Sequence, residues 1–405
     1  MVYDDIHITA FRGLRDVSLT ECRDVNLLVG GNDSGKTSVL EAILLLSDPL
    51  LSDHWTAPIE LRGTWPLMDR WRLGVRNRKL NAVEWLFPHQ DGISSELSLK
   101  ISSDRPLNGL DATMTRISGE PPDKPVIGDA EVTEGVYRRK SRTTAAEHQS
   151  ELELDLDLDE ELGPERGLEL SLDVSWDDPQ PSMLEGSKVD KFQLVMWEQG
   201  RAGGRPGGFE GVEVPTVFAT PISHRSDGYL ATRFSRLLRE KRKDQALELV
   251  QYLDDNIVDL VMVAPEEPDD NIALPRGRDS ATLHVEHKSA GLVPIHAMGD
   301  GLRRAIHLAA LVAEVGEGGV LLIDEIEVAM HTSVLSQVFG WLGKACRASG
   351  VQLFATTHSL EAVDTILDAV PDPELALYRI RPGEARRYDG DLLRTARFEL
   401  GQEVR

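Results

Sequence analysis

The sequence predicts an α/β fold organised around a phosphate-binding strand–loop–helix unit, and three observations predict it. Gly30-Gly31-Asn32-Asp33-Ser34-Gly35-Lys36-Thr37 fits G-x4-G-K-[ST] in full and lies between the apolar run VNLLVG and a Leu-, Ala- and Ile-rich stretch. Gly318–Glu325 (GGVLLIDE) is a second apolar run, and it ends in two acids. From residue 320 onward, strand-like and helix-like segments alternate, the rhythm of a sheet flanked by helices.

Taken in order, 5–10 (DIHITA) and 25–30 (VNLLVG) read as strands, with FRGLRD as a turn-like segment between them. Ser38–Leu46 reads as a helix whose start falls near Lys36, and 50–87 carries helical pieces ending at VEWLF. SELSLKIS (95–102) alternates apolar and polar residues, the period of a half-buried strand. Between about 103 and 187 turn-formers dominate (PLNG, EPPDKP, GDAEVTEG, DDPQP), and LELSLDVSW reads as a strand. ELELDLDLDE (151–160) places Leu152, Leu154, Leu156 and Leu158 on one face and acids on the other. The spacing predicts helices over 227–263, a loop at PEEPDDN and PRGRD, a strand at 282–287 and a helix at Gly301–Val315. The strand VLLID, a helix over 331–348, the strand VQLFATT, a helix over 359–369 and the strand ALYRI complete the chain.

Composition narrows the function. The 405 residues carry 44 Lys+Arg against 68 Asp+Glu, a net charge of −24, which opposes coating nucleic acid with a wholly basic face. Contact with DNA would then fall to local patches, RRKSR at 138–142 or Arg233, Arg236, Arg239, Lys241, Arg242 and Lys243. Two cysteines, Cys22 and Cys346, cannot form a disulfide framework, and no Cys/His spacing reads as a zinc site. The apolar stretches Val39–Leu46 and Val320–Met330 are interrupted by acids and fall short of a membrane span. MVYDDIHITAF lacks the basic start and apolar run of a signal peptide. A cytoplasmic location is the expectation.

The chemistry follows from residue type. Gly30 and Gly35 let the backbone close around a phosphate so that the N–H groups of Asn32, Asp33, Ser34, Lys36, Thr37 and Ser38 point inward. Lys36 supplies a positive charge, and the start of the following helix adds its dipole. The Thr37 hydroxyl and the Asp324 carboxylate are hard oxygen ligands suited to Mg²⁺, and Glu325 is placed to polarise an attacking water. His358, after the strand FATT, can hydrogen-bond a terminal phosphate.

In this order the segments (phosphate loop, long insertion, HAMGDGLRRAIHLA, VLLIDEIE, ATTHS) resemble the ABC-type ATPases related to SMC, RecF and OLD proteins, and most of all the short prokaryotic ATP-binding proteins of AAA type. The resemblance covers 1–48 and 281–405. It implies a P-loop NTPase with an ABC/SMC-head-like mixed sheet, a β-rich insert and a short helical subdomain. Residues 1–102 would be the first part of the head, 103–220 the acidic insert, 221–280 the helical subdomain and 281–405 the rest of the head. It implies ATP and Mg²⁺ as ligands, with Lys36, Glu325 and His358 as catalytic residues. It also implies a head-to-tail dimer in which ATP lies between the loop of one chain and the signature segment Met298–Arg304 of the other.

Gly299 stands where the family signature carries Ser, so Gly299, Gly301 and the helix start would present only N–H groups, with Arg303 or Arg304 as further charge. Arg12, in the FRG segment, would reach the phosphates or the adenine edge. His331 would cross the dimer interface or cap a helix, and Gln90 is a candidate Q-loop residue. A separately encoded effector, a nuclease or toxin in prokaryotic defence, is the implied partner. A nucleotide-gated scaffold with negligible turnover and a RecF-like DNA-repair ATPase remain the alternatives. An OLD-type Toprim nuclease is not expected, because 47 residues follow His358. Asp389-Gly390-Asp391 reads as a turn, and Asp155, Asp157 and Asp159 as a charged strand face rather than metal ligands.

Overall fold

The computed structural model describes residues 2–60, 78–88, 96–104, 107–119, 165–176, 188–197, 213–225, 227–264, 281–371 and 374–399. Gln90, RRKSR at 138–142, ELELDLDLDE at 151–160 with Asp155, Asp157 and Asp159, and the PEEPDDN–PRGRD loop lie outside the described residues.

Two six-stranded sheets enclose one helix. The first, antiparallel throughout, has the order β2(Leu14–Leu19), β1(Ile6–Phe11), β4(Glu96–Ser103), β5(Leu107–Gly119), β6(Glu165–Trp176), β7(Lys188–Trp197). In the second, β14(Leu375–Arg381), β3(Val25–Val29), β13(Gln352–Thr357), β12(Val320–Ile323) and β8(Thr216–Ala219) run parallel, and β15(Glu384–Asp389) adds an antiparallel edge. Side chains of the parallel strands alternate between two cores, as a pleat with period two requires. Leu28, Leu322, Phe354 and Tyr378 join α1(Lys36–Ser47) and the antiparallel sheet in one core. Leu27, Leu321, Leu353 and Leu377 pack on the helical side.

That second side is built by α4(Asp227–Arg239), α5(Lys243–Leu253), α6(Asp300–Val315), α7(Thr332–Ala348) and α8(Leu360–Ala369). A three-stranded sheet, β9(Ile257–Val263), β10(Thr282–His287) and β11(Gly291–Pro294), abuts α4 and α5. Two short helices, α2(Ser52–Glu60) and α3(Arg78–Glu84), follow α1, and α9(Gly390–Arg394) follows β15. No helix among the described residues is long and apolar enough to cross a membrane, which leaves β-barrels unaddressed.

Three expectations are corrected. The turn-like segment FRGLRD turns only at Arg12-Gly13, with Arg12 at φ 50°; Phe11 pairs with Leu14 across it, and Leu14–Leu19 is a strand that was not expected. Helix does not continue to 263, because Asp254 caps α5 and the β-branched run Ile257, Val258, Val261 and Val263 forms β9. Asp389-Gly390-Asp391 is the end of β15 and the first turn of α9, not a free turn.

Candidate phosphate-binding site

Because β3, β13 and β12 run parallel in register, their carboxyl ends converge on one edge, where α/β sheets place ligands. Gly30 follows β3, Asp324 follows β12, and Thr356–His358 end β13. The loop from Gly30 to Gly35 delivers the chain into α1. Gly35 sits at φ 96°, which a side chain would strain, and a Cβ there would lie 2.5 Å from Leu14 Cδ2. A Cβ on Gly30 would lie 2.6 Å from the Ile380 carbonyl oxygen and from Ser34 Oγ. Positions 30 and 35 of the loop therefore require glycine. Asn32 and Asp33 are exposed and Ser34 is buried. Ser34 Oγ has no hydrogen-bond partner among the described residues.

Lys36 Nζ donates to the carbonyls of Gly30 (2.9 Å) and Gly31 (2.8 Å), so the ammonium lies across the mouth of the loop. Burial pulls its pKa below the ordinary lysine value, against the pull of Asp324, Glu325, Glu327 and Asp33. Thr37, on the first turn of α1, donates from its hydroxyl to Asp324 Oδ1 at 3.0 Å, with Oδ2 at 3.2 Å. Thr356 Oγ1 donates to the same Oδ1 (2.6 Å) and accepts from Glu325 N–H (2.8 Å). Ser38 is also on the first turn of α1 and is partly buried.

Glu325 adopts φ 48°, an uncommon conformation for a residue with a Cβ. His358 is 53% exposed, with Nδ1 3.3 Å from Glu327 Oε1, and the same oxygen accepts His358 N–H at 3.2 Å. Lys36, Thr37, Asp324, Glu325 and His358 thus share one edge.

Arg12 pairs with a carboxylate of its own chain. Its Nε lies 3.1 Å from Glu41 Oε2, a carboxylate only 1% exposed on the flank of α1. In the signature segment Leu302 and Arg304 are buried, while Gly299 is exposed. Gly299 is the N-cap of α6, its carbonyl accepting from Leu302 and Arg303 N–H. Gly301 packs against the loop after β12, where an added Cβ would meet Ala329 O at 2.9 Å. Arg303 donates to Arg225 O, and Arg304 is fully buried in its own chain. The expectation that Arg304 carries charge to a partner is overturned, because its side chain is aimed at the end of β12. His331 accepts from Ser333 N–H as the N-cap of α7.

Sequence reasoning assigned no role to Thr356 or Glu327, and it aimed the charge of Arg304 at a partner chain rather than inward. For Arg304 a signal existed: Arg304, Leu308, Leu311 and Val315 form one helix face, and that face is buried.

The residues fit a phosphate-bearing nucleotide and a hard divalent cation. A tight loop hinged on Gly30 and Gly35, the Ser34 hydroxyl without a partner among the described residues and a lysine at the mouth suit the phosphates, while Thr37 and Asp324 form an all-oxygen donor pair suited to Mg²⁺.

Two family models match parts of the chain. Residues 1–120 match the family described as "AAA ATPase domain", and 217–364 the family described as "AAA domain, putative AbiEii toxin, Type IV TA system". An uncharacterized protein of Methanocaldococcus jannaschii is 39% identical over 71 residues, which are 18% of this chain and 61% of that protein. The chain thus spans less than two thirds of that relative. Similar solved structures include an SMC head bound to the C-winged helix domain of ScpA, at 12% identity and TM-score 0.42, covering 96% of this chain and 97% of that one. The SMC head domain from Thermotoga maritima gives 9% and 0.39, with coverage of 96% and 99%. The recombination mediator RecF with ATP, of the RecFOR pathway, gives 13% and 0.40, with coverage of 96% and 97%. The fold assignment itself rests on the strand order and the loop described above.

Proposed function

We propose that this chain, an AAA-type P-loop protein of the ABC/SMC/RecF-like group, hydrolyses ATP and uses the nucleotide to switch its assembly state. The observation that carries the reading is the bond between Thr37 and Asp324, which joins the start of α1 to the end of β12, 287 residues apart in the chain. Such a pair of oxygens, beside a lysine-guarded glycine loop, matches the needs of a triphosphate with its metal.

In this reading the N–H groups from Asn32 to Ser38 and the Lys36 ammonium hold the phosphates. Thr37 and Asp324 would hold Mg²⁺, which when bound offsets charge on the phosphate oxygens. Glu325 orients a water in line with the terminal phosphorus and accepts its proton as the water oxygen bonds phosphorus and the bond to ADP breaks. His358, steadied by Glu327, donates toward the terminal phosphate. Two chains close around the nucleotide and part after hydrolysis. The family description of residues 217–364 names a toxin–antitoxin system, which supports control of a separately encoded effector; we place that control in prokaryotic, anti-phage defence within the cytoplasm as part of the proposal.

Glu325→Gln tests this: it should keep ATP binding, lower phosphate release about a hundredfold or more to a residual rate that single-turnover assays still read, and accumulate a dimer in mass photometry. A monomer that still hydrolyses at the wild-type rate would refute the assignment. A second reading, a nucleotide-gated scaffold with negligible turnover, is supported by Gly299 in place of serine and by the inward-facing signature charges. It predicts ATP-dependent dimers with no phosphate release, with or without DNA. The RecF-like alternative has less support, since Arg233 and Arg236 pair with Glu314, Arg242 bonds Ser349 and Lys243 pairs with Asp259.

A further inference from the structure

The conformation of Glu325 needs an explanation, because φ 48° costs a side-chain-bearing residue on the order of 1 kcal/mol or more unless its surroundings impose it. Both peptide units that flank Glu325 are pinned at both ends. In the first, the Asp324 carbonyl accepts from Arg304 Nη2 at 3.2 Å and the Glu325 N–H donates to Thr356 Oγ1 at 2.8 Å. In the second, the Glu325 carbonyl accepts from the same Arg304 nitrogen at 3.4 Å and the Ile326 N–H donates to the Thr356 carbonyl at 3.0 Å. Arg304 Nη1 also donates to the Thr220 carbonyl at the end of β8.

One guanidinium therefore gathers the carbonyls of two neighbouring strand ends, and one threonine gathers the amides. Fixing both peptide planes fixes φ and ψ of the residue between them. Arg304 is wholly buried, an expensive place for a cation, and burial lowers its pKa to about 10 against the pull of Asp324, Glu327 and Glu325.

We propose that Arg304 is a positioning residue for Glu325, and that it ties the attitude of the signature helix α6 to the carboxylate that activates water. Arg304 stands three residues after Gly301, in the first turns of α6, so any tilt of that helix is felt at both carbonyls of Glu325. Gly301, packed against Ala329 O, provides a second contact between the same helix and the same loop. A partner chain that engages Met298–Arg304 would then alter the catalytic edge of the chain that owns the helix. The inference rests on the assignment of Glu325 as the water-activating group.

A double-mutant cycle tests it, with Arg304→Lys and Glu325→Gln singly and together, read by single-turnover phosphate release and by binding of a nonhydrolysable ATP analogue. Arg304→Lys retains a buried cation of shorter reach. It should lower the hydrolysis rate about tenfold or more while KM and analogue affinity change less than about threefold. In the Glu325→Gln background it should cause no further loss, because its effect passes through Glu325. Arg304→Met, which gives no donor at all, should be slower than Arg304→Lys. Should Arg304→Met fail to fold, the lysine variant still decides. A full additional loss in the Glu325→Gln background, or a loss confined to KM and thermal stability, overturns the inference. If Glu325→Gln alone hydrolyses at the wild-type rate, the functional assignment falls first, a separate outcome.

Discussion

The phosphate loop and the signature segment are both glycine-bearing turns that open a helix, yet they are built in opposite senses. At α1 there is no acid in the first turn, and Lys36 lies across the mouth of the loop. The helix dipole and the loop amides suit an anion, and the acids that act on the ammonium, Asp324, Glu325, Glu327 and Asp33, all lie outside α1. At α6 the first turn already holds Asp300, which pairs with Arg225 at 2.7 Å and Arg303 at 3.7 Å. Its positive end is answered by the chain's own carboxylate. Two helix starts of similar sequence texture therefore differ in what they have left to bind: α1 is an anion site in its own right, whereas α6 would meet phosphate only against a resident acid.

The largest expected effect separates the two. Lys36→Ala should weaken ATP binding by about a hundredfold or more, measured by fluorescent-nucleotide titration, because the ammonium brings a full positive charge to the loop mouth. Neutralising Arg303 should change the same affinity less than about threefold, since that side chain is turned to Arg225 O and Asp300. Comparable losses in both variants would erase the contrast.

A smaller effect belongs to the cradle. Gly30→Ala puts a methyl group 2.6 Å from the Ile380 carbonyl, a backbone atom that cannot swing away. The cost should be about 2 kcal/mol of stability, visible in denaturant midpoints, together with lost nucleotide binding. Unchanged stability would mean that the loop is looser than this packing.

The asymmetry also explains what the sequence made legible. The glycine loop, the two acids after an apolar strand and the threonine–histidine strand end were readable because their chemistry is written in local spacing. Arg12 was not, because its partner Glu41 is a buried carboxylate on another element that no spacing rule connects to it. Arg304 lay on a helix face that could be read as buried, but its partners are backbone carbonyls, which leave no residue type to recognise, so its charge was expected to face a partner chain. Strand β9 was hidden by the amphipathic helix before it, and the hairpin β1–β2 by a glycine that reads equally well as loop. Local chemistry survives in sequence; pairing with main-chain groups does not.

Below these effects lies a pH dependence on the α6 side. His224 and His307 are fully buried near Arg304, His307 bonding Ser223 Oγ at 2.9 Å. Burial and the nearby Arg304 push His224 down to about 4, while burial, Arg233 and Arg304 hold His307 well below its usual value. Both remain neutral in the folded chain where the unfolded chain takes up protons, so acid favours unfolding. Their stabilising contribution is full above about pH 6.5 and declines as pH falls toward 4, the point at which folded His224 also protonates. Thermal melts across that window should show a falling Tm, and His307→Gln, which preserves a hydrogen bond to Ser223, should reduce the slope. An identical slope in the variant would place the acid sensitivity elsewhere.

The smallest effect is the sharpest probe of the comparison. Gly299 lies at φ −62°, and a Cβ built on it meets nothing within 4 Å. Gly299→Ser should therefore leave Tm within about 1 °C and the nucleotide affinity of the isolated chain within about twofold, in contrast to Gly30→Ala. Its hydroxyl would matter only to a nucleotide presented by a second chain, so any gain should appear as a shift of the ATP-dependent dimer to lower protein concentration. A change in the monomer's own affinity would mean that α6 reaches its own chain's nucleotide, and the division of labour between the two helix starts would have to be redrawn.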